Sequence, residues 1–233
     1  MNLVINGICK SFGKKKVLNN ANYTFKKGNI YALLGRNGAG KTTFFNCISE
    51  EISVDAGEIY LIKNRGKEKL DEKNIGYCYS EPILPEFLTG YEFLKFFLDV
   101  NRSVIKNLLT IEEYLNIMEF NIEDANKLIK NYSKGMKNKI QMLCFIITKP
   151  DVILLDEPLT SLDVVASLEM KKLLKEMKKN HIIIFSTHIL ELATDLCDKI
   201  VILNNGELEE IDEDILHDKN FEERIINILK EEN

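Results

Sequence analysis

Long apolar stretches are missing from this 233-residue sequence. The most apolar segments, residues 142–148 and 182–185, are far shorter than the roughly 18 consecutive apolar residues of a membrane-spanning helix, so we expect no part of the chain to cross a bilayer. The first residues also lack a basic segment followed by an apolar run, which argues against a secretory signal. A cytoplasmic protein is predicted.

An excess of basic residues is missing as well. The chain carries 31 lysines and arginines and 36 aspartates and glutamates, which gives a formal charge of −5. This balance argues against a protein that binds mainly to nucleic-acid phosphates, although it leaves room for a local basic groove.

Paired cysteines, internal repeats and low-complexity linkers are also absent. The five cysteines are odd in number, widely spaced and never form a C-x-x-C pair, so free and mostly buried thiols are predicted. With 45% hydrophobic and 29% charged residues, the chain has the composition of a globular protein that can bury a core. Its length fits one large domain or a core with a smaller subdomain.

Strands and helices alternate along the sequence. The first third predicts strands at 3–9, 17–25 and 29–34, then a short helix from Lys41 and a strand at 58–62. Between about 82 and 150 the character is helical, with amphipathic segments at 91–98, 111–118 and 139–147. After Pro150 we expect strands at 152–155, 181–185 and 199–203, a helix at 164–179, and a last helix near 221–229. Buried strands alternating with helices predict an α/β fold with a parallel sheet covered on both faces.

A phosphate-binding motif follows the third predicted strand. Residues 35–42 read Gly-Arg-Asn-Gly-Ala-Gly-Lys-Thr and fit the pattern G-x-x-x-x-G-K-[ST], between a strand and a helix as that pattern requires. The backbone N–H groups and the helix N-terminus attract phosphate, Lys41 reaches the β- and γ-phosphates, and Thr42 offers a hydroxyl to Mg²⁺. The alternative is a glycine-rich turn without a ligand. The candidate nucleotide-binding residues are Gly35, Asn37, Gly38, Ala39, Gly40, Lys41, Thr42 and Thr43.

Two carboxylates end the buried strand at 152–155. Asp156 is a candidate ligand for Mg²⁺, and Glu157 is a candidate base that orients the water attacking a γ-phosphate. Without a phosphate-binding loop, an Asp-Glu pair after a strand is often a solvated helix cap. Together with Lys41 and Thr42, the pair favours the catalytic interpretation.

With residues 131–136, Asn-Tyr-Ser-Lys-Gly-Met, the sequence resembles the ATP-binding cassette (ABC) ATPases over nearly its whole length. Ser133 and Gly135 stand where that family has its signature Leu-Ser-Gly-Gly-Gln, although Ser133 is also a natural helix N-cap. The resemblance implies a P-loop NTPase cassette, with a mainly parallel sheet, antiparallel N-terminal strands and an inserted helical subdomain. It divides the chain into a catalytic core at 1–81 and 151–233 and a helical subdomain at 82–150.

Further positions match the family one by one. Phe12 stands in the aromatic loop that stacks on adenine, and its alternative role is a core residue. Residues 161–163 resemble the D-loop, and His188 stands where the switch histidine contacts the γ-phosphate. Two positions depart from the pattern: Ser80 replaces the usual glutamine of the Q-loop, which puts its contact with Mg²⁺ in doubt, and Lys134 replaces the first signature glycine.

The function implied by the resemblance is ATP hydrolysis that drives transport. Two cassettes, identical or sister chains, would enclose two ATP·Mg²⁺ and move a separate membrane permease from the cytoplasmic face of the membrane. Lys41, Glu157 and His188 are the implied catalytic residues, and Thr42, Asp156 and Ser80 the implied metal ligands. The variants at Ser80 and Lys134 resemble single-cassette exporters of drugs and antimicrobial peptides, and no nucleic acid is expected. The alternatives are a soluble ABC ATPase that acts on ribosomes or nucleic acid, and an ATP-sensing module with weak hydrolysis.

Overall fold

The computed structural model describes residues 1–105, 107–160, 162–211, 223 and 225, without the side chain of Glu72. Ser161 of the predicted D-loop therefore lies outside the described residues, as does the predicted helix at 221–229 apart from Glu223 and Ile225. The strands are β1 Asn2–Phe12, β2 Lys15–Lys26, β3 Ile30–Leu34, β4 Ala56–Lys63, β5 Gly66–Lys69, β6 Ile75–Cys78, β7 Val152–Asp156, β8 Ile182–Thr187, β9 Lys199–Asn204 and β10 Glu207–Glu210. The α-helices are α1 Lys41–Ile48, α2 Gly90–Val100, α3 Ile111–Ile117, α4 Ile122–Ala125, α5 Lys134–Thr148, α6 Val164–Met177 and α7 Leu190–Leu196.

The described strands form two sheets. The larger has the order β10-β9-β3-β8-β7-β6, and every pair in it is parallel except β10 with β9. The smaller has the order β2-β1-β4-β5 and is antiparallel. This arrangement confirms the predicted α/β class, with a mainly parallel core sheet and antiparallel N-terminal strands.

The central strand β3 shows why the core strands are apolar without interruption. Ile30, Ala32 and Leu34 pack on one side of the sheet, with the helices α2, α3, α5 and α6. Tyr31 and Leu33 pack on the other side, with α1 and the antiparallel sheet. Successive strand residues point to opposite faces, and both faces are covered, so all five residues of β3 are buried. Full burial of each large side chain contributes about 1.5–3 kcal/mol.

The helices α2 to α5 lie in the chain between β6 and β7. Their buried side chains, among them Leu94 and Ile140, belong to the same apolar cluster as one face of the large sheet. The division into domains at residues 81 and 150 stays a prediction. None of the helices in the described part of the chain combines the length and the apolar character needed to cross a bilayer.

Three strands, β5, β6 and β10, were absent from the predicted elements. Strand β6 has only four residues and includes Gly76. A Cβ at Gly76 would lie 2.7 Å from a ring carbon of Phe145, so the glycine lets helix α5 pack closely against the strand. A strand this short, with a glycine at its centre, has no clear alternation in the sequence.

The cysteines agree with the prediction of free thiols. All five are free; Cys47, Cys78 and Cys144 are buried, and Cys9 and Cys197 are half-buried. Burial raises the pKa of the Cys47 thiol to about 11 and the pKa values of Cys78 and Cys144 to about 12. These three side chains therefore stay protonated at neutral pH.

His181 makes the stability of the fold depend on pH. It is buried, and its Nδ1 contacts the carbonyl oxygen of Pro150. Burial lowers its pKa below the ordinary value of 6.5, so the folded chain takes up this proton only at a pH below that of the unfolded chain. Stability is therefore complete above pH 6.5 and falls as the pH drops through the window below it.

We expect the His181→Gln variant to lose less stability on acidification than the parent. Between pH 7.5 and 5.5 the histidine costs the parent up to about 1.4 kcal/mol, while the glutamine does not titrate and can still donate to Pro150. Urea unfolding of both proteins at the two pH values measures the difference. Equal losses in parent and variant would contradict this role of His181.

Candidate nucleotide-binding site

Residues 35–42, the loop after β3 and the first two residues of α1, lie at the carboxyl edge of the large sheet. Gly40 is the N-cap of α1 and has φ = 106°. A Cβ at this position would lie 2.6 Å from Cγ1 of Val17. Both the left-handed conformation and the close approach of Val17 require glycine, which explains why the second glycine of the pattern is needed in this fold.

The ammonium group of Lys41 lies inside this loop. Its Nζ donates hydrogen bonds to the carbonyl oxygens of Gly35, at 2.8 Å, and of Arg36, at 3.3 Å. Burial lowers the pKa of Lys41, whereas the nearby carboxylates of Glu157 and Asp156 raise it. The loop thus holds a largely desolvated cation next to two carboxylates.

Asp156, the last residue of β7, connects three elements at the sheet edge. Its Oδ2 accepts a hydrogen bond of 2.8 Å from the hydroxyl of Thr42, and its Oδ1 accepts one from the hydroxyl of Ser186 at the neighbouring end of β8. Hydroxyl and carboxylate oxygens are hard ligands of the kind that Mg²⁺ prefers. The donor atoms of Thr42 and Asp156 therefore fit this ion.

Glu157 is oriented by its neighbours from both sides. Its backbone is left-handed, with φ = 51°, and its N–H donates to the hydroxyl of Ser186 at 3.1 Å. Its Oε2 accepts a hydrogen bond of 3.0 Å from Thr160, and its Oε1 lies 2.9 Å from Nδ1 of His188. The carboxylate and the imidazole therefore form one hydrogen-bonded pair at the carboxyl edge of the large sheet.

An open cleft of about 470 Å³ collects most of the predicted site residues. This volume lies within the range of small-ligand sites, roughly 300–1,000 Å³. Phe12 is 52% exposed, so it is not the core residue considered as an alternative. The cleft is lined by Phe12, Lys15, Val17, Asn37, Gly38, Gly40, Lys41, Thr42, Thr43, Ser80, Asp156 and Glu157.

Ser133 and Gly135 do not line this cleft. Ser133 is exposed at the N-terminus of α5, where its hydroxyl accepts a hydrogen bond of 3.2 Å from the N–H of Met136. Lys134 lies between these two residues in the sequence, and its Nζ is 3.4 Å from a carboxylate oxygen of Glu81. The structure therefore separates the serine-led helix start from the chain's own phosphate-binding loop.

Several polar residues support the site without having been predicted. Thr160 and the hydroxyl of Ser186 orient the two carboxylates, as described above. Asn138 of α5 donates to the carbonyl oxygen of Pro158 at 3.3 Å, and Gln141 accepts a hydrogen bond of 2.9 Å from the thiol of Cys78. The position of Ser186 at the end of a strand parallel to β7 was the one available signal, because adjacent parallel strands deliver their last residues to one edge.

Comparison with known proteins identifies the family. Residues 18–160, more than half of the chain, match the family model described as ABC transporter. The chain belongs to this family. It is an ATP-binding cassette and an ATPase, as its resemblance to the ABC ATPases implied.

Two relatives and one solved structure show how far the similarity extends. This cassette is 35% identical over 207 residues to the uncharacterized ABC transporter ATP-binding protein YxlF of Bacillus subtilis, covering 88% of this chain and 69% of YxlF. It is 32% identical over 210 residues to the lantibiotic transport ATP-binding protein SrtF of Streptococcus pyogenes, covering 88% of each. A solved ATP-binding subunit of an ABC transporter superposes with a TM-score of 0.77 at 26% identity, over 100% of this chain and 96% of that one.

Proposed function

We propose that the cassette hydrolyses ATP as a dimer in which each site takes residues from two chains, and that the dimer drives a separate membrane permease. The observation that carries this proposal is the position of Ser133 and Gly135. They stand at the start of α5, outside the chain's own cleft and with Ser133 exposed, and a helix N-terminus attracts phosphate. In a facing cassette, the same helix start would meet the triphosphate held by this chain.

The two ends of the cleft bind different parts of ATP. The backbone N–H groups of the loop at 35–42 and the ammonium of Lys41 bind the β- and γ-phosphates. Lys41 exchanges its bonds to the loop carbonyls for bonds to phosphate oxygens. At the other end the half-exposed ring of Phe12 stacks on the adenine.

Glu157 is the proposed general base. It takes a proton from the attacking water while the water oxygen bonds to the γ-phosphorus and the bond to the bridging oxygen of ADP breaks, which leaves ADP and inorganic phosphate. His188, whose Nδ1 lies 2.9 Å from the same carboxylate, would contact the γ-phosphate through its other ring nitrogen. The left-handed backbone at Glu157 is the kind of strain found at catalytic residues.

Thr42, Asp156 and Ser80 would hold Mg²⁺. The ion would neutralise charge on the phosphate oxygens when bound. Ser80 lies on the rim of the cleft and has a shorter side chain than the family's glutamine, so we assign it the weakest contact of the three.

The helical part of the chain offers a surface for the permease. Ile83, Phe87 and Phe96 are 71%, 80% and 61% exposed; the first two lie between Ser80 and α2, and Phe96 lies on α2. Large contiguous patches of exposed apolar side chains mark interaction sites, and we propose that these residues belong to one. Contact there would place the cassette at the cytoplasmic face of the membrane. SrtF is named for lantibiotic transport, and we propose export of a peptide, drug or antibiotic for this cassette. Co-purification with a multi-spanning membrane protein supports this assignment; ribosomes or nucleic acid in its place would support the soluble alternative.

A mixing experiment tests the shared site. The Lys41→Met variant keeps its signature helix but loses its phosphate-binding lysine, and the Ser133→Arg variant has the opposite defect. Each variant is expected to be inactive, whereas an equal mixture regains about a quarter of the parental ATPase rate, because half of the dimers then contain one intact composite site. The assay is steady-state phosphate release as a function of mixing ratio.

The control is a mixture of the Lys41→Met variant with a Lys41→Met/Ser133→Arg chain, in which no composite site is intact. That mixture should stay inactive at every ratio. Activity of the Ser133→Arg variant at the parental rate, or no recovery in the first mixture while both variants remain folded, would contradict the shared site.

A further inference from the structure

The ring of Phe12 stands at the tip of a hairpin without a core to hold it. Phe12 ends β1 and pairs with Lys15 of β2 across the two-residue turn Gly13-Lys14, in which Gly13 has φ = 60°. Because the ring is half exposed, apolar packing holds it less firmly than it holds a core side chain. Other contacts must place it at the cleft.

Asp55 supplies these contacts from the loop before β4. Its Oδ2 accepts a hydrogen bond of 2.7 Å from the N–H of Ser11, and its Oδ1 lies 3.1 Å from Nζ of Lys10. Its own N–H donates to the carbonyl oxygen of Cys9 at 2.8 Å. One aspartate thus binds three consecutive residues of β1 directly before Phe12. The hydrogen bonds from Lys10 and Ser11 also lower the pKa of Asp55, which keeps the carboxylate charged.

Lys10 connects Asp55 to the ring of Phe12. Its ammonium donates to the carbonyl oxygen of Ser53 at 2.6 Å and lies 5.5 Å from the ring centroid of Phe12, within the range of a cation–π contact. Residues two apart in a strand point to the same side, which brings the Lys10 side chain onto the ring. The cation covers one face of Phe12 and leaves the other for a planar ligand.

We propose that Asp55 is a positioning residue for recognition of the adenine base. It fixes Lys10 and the end of β1 so that Phe12 presents its free face to the cleft. The inference rests on the proposed stacking role of Phe12, and it predicts that Asp55 contributes to the binding of the base and not to the binding of the phosphates.

The experiment compares ATP with inorganic tripolyphosphate, which carries the phosphates without a base. In the Asp55→Asn and Asp55→Ala variants of the full chain we expect the Kd for ATP to rise about threefold to tenfold, within the effect of losing a stacking contact, while the Kd for tripolyphosphate stays within a factor of about two. Isothermal titration calorimetry in the presence of Mg²⁺ measures both. The matched control is Glu58→Gln, an exposed carboxylate on β4 that is paired with Lys67, which should leave both constants unchanged.

A double-mutant cycle with Phe12→Ala shows whether Asp55 acts through the ring. Phe12→Ala is expected to weaken ATP binding about fivefold to 100-fold, and adding Asp55→Ala to it should change the Kd by less than about twofold. Additive effects, an equal loss of tripolyphosphate binding, or unchanged ATP binding in both Asp55 variants would overturn the inference. If Phe12→Ala itself leaves ATP binding unchanged, the stacking role in the proposed function fails instead, and the inference falls with it.

Discussion

Replacing Glu157 with glutamine is expected to lower ATP turnover by about 10²- to 10⁴-fold, the usual cost of losing a general base. The amide keeps the size of the side chain and can still interact with Thr160 and His188, but it cannot accept a proton from water. Binding should survive because the phosphate-binding loop is untouched. ATP should therefore remain bound, and in the proposed dimer the two cassettes should stay closed around it. Single-turnover hydrolysis and size-exclusion chromatography with ATP measure the two effects.

Glu191 provides the control for this substitution. It is an exposed glutamate in the first turn of α7, three residues beyond His188, so Glu191→Gln removes the same charge close to the site without touching the carboxylate pair. We expect the parental rate from this variant. A Glu157→Gln protein that hydrolyses ATP as fast as the parent would show that another group accepts the proton.

Replacing Lys41 with methionine is expected to separate folding from nucleotide binding. The substitution removes a buried cation that bonds directly to no carboxylate in the described part of the chain, so the nucleotide-free variant should be at least as stable as the parent. At a concentration of 100 times the parental Kd, ATP stabilises the parent by about 2.7 kcal/mol. A 100-fold loss of affinity reduces this gain to about 0.4 kcal/mol. Chemical denaturation with and without ATP measures all four values.

Lys95→Met is the matched control, because Lys95 is exposed on α2 and away from the cleft. It should retain the full stabilisation by ATP. A Lys41→Met protein with the same gain as the parent would remove Lys41 from phosphate binding, whereas a variant that is unfolded without nucleotide would contradict the stability expectation.

The fold was predictable because its strongest signals are local. The uninterrupted apolar strands β3, β7 and β8 reflect burial on both faces, and the phosphate-binding pattern identified the turn between β3 and α1. Strand β6 was missed for the opposite reason: four residues around Gly76 leave too short a pattern, and their place in the sheet depends on Phe145, far away in the sequence.

The site, too, was only partly predictable from local patterns. Residue types and spacing pointed to Lys41, Thr42, Asp156 and Glu157, since parallel strands bring their carboxyl ends to one edge. Their roles in binding and catalysis stay predictions. Thr160 and Ser186 donate the hydrogen bonds that orient these carboxylates. These bonds could not be predicted, because they depend on side-chain positions to within a few tenths of an ångström.

Order along the chain was thus sufficient to indicate the family and the fold class and to name candidate residues, because these are written in short apolar periods and contiguous motifs. It was not sufficient to predict the distances between remote segments. Asp55 is hydrogen-bonded to β1 next to Phe12, and Ser133 lies outside the cleft that contains Lys41. Both facts follow from how the two sheets and α5 pack together. Packing is set by many simultaneous contacts between distant residues, and no local pattern records their sum.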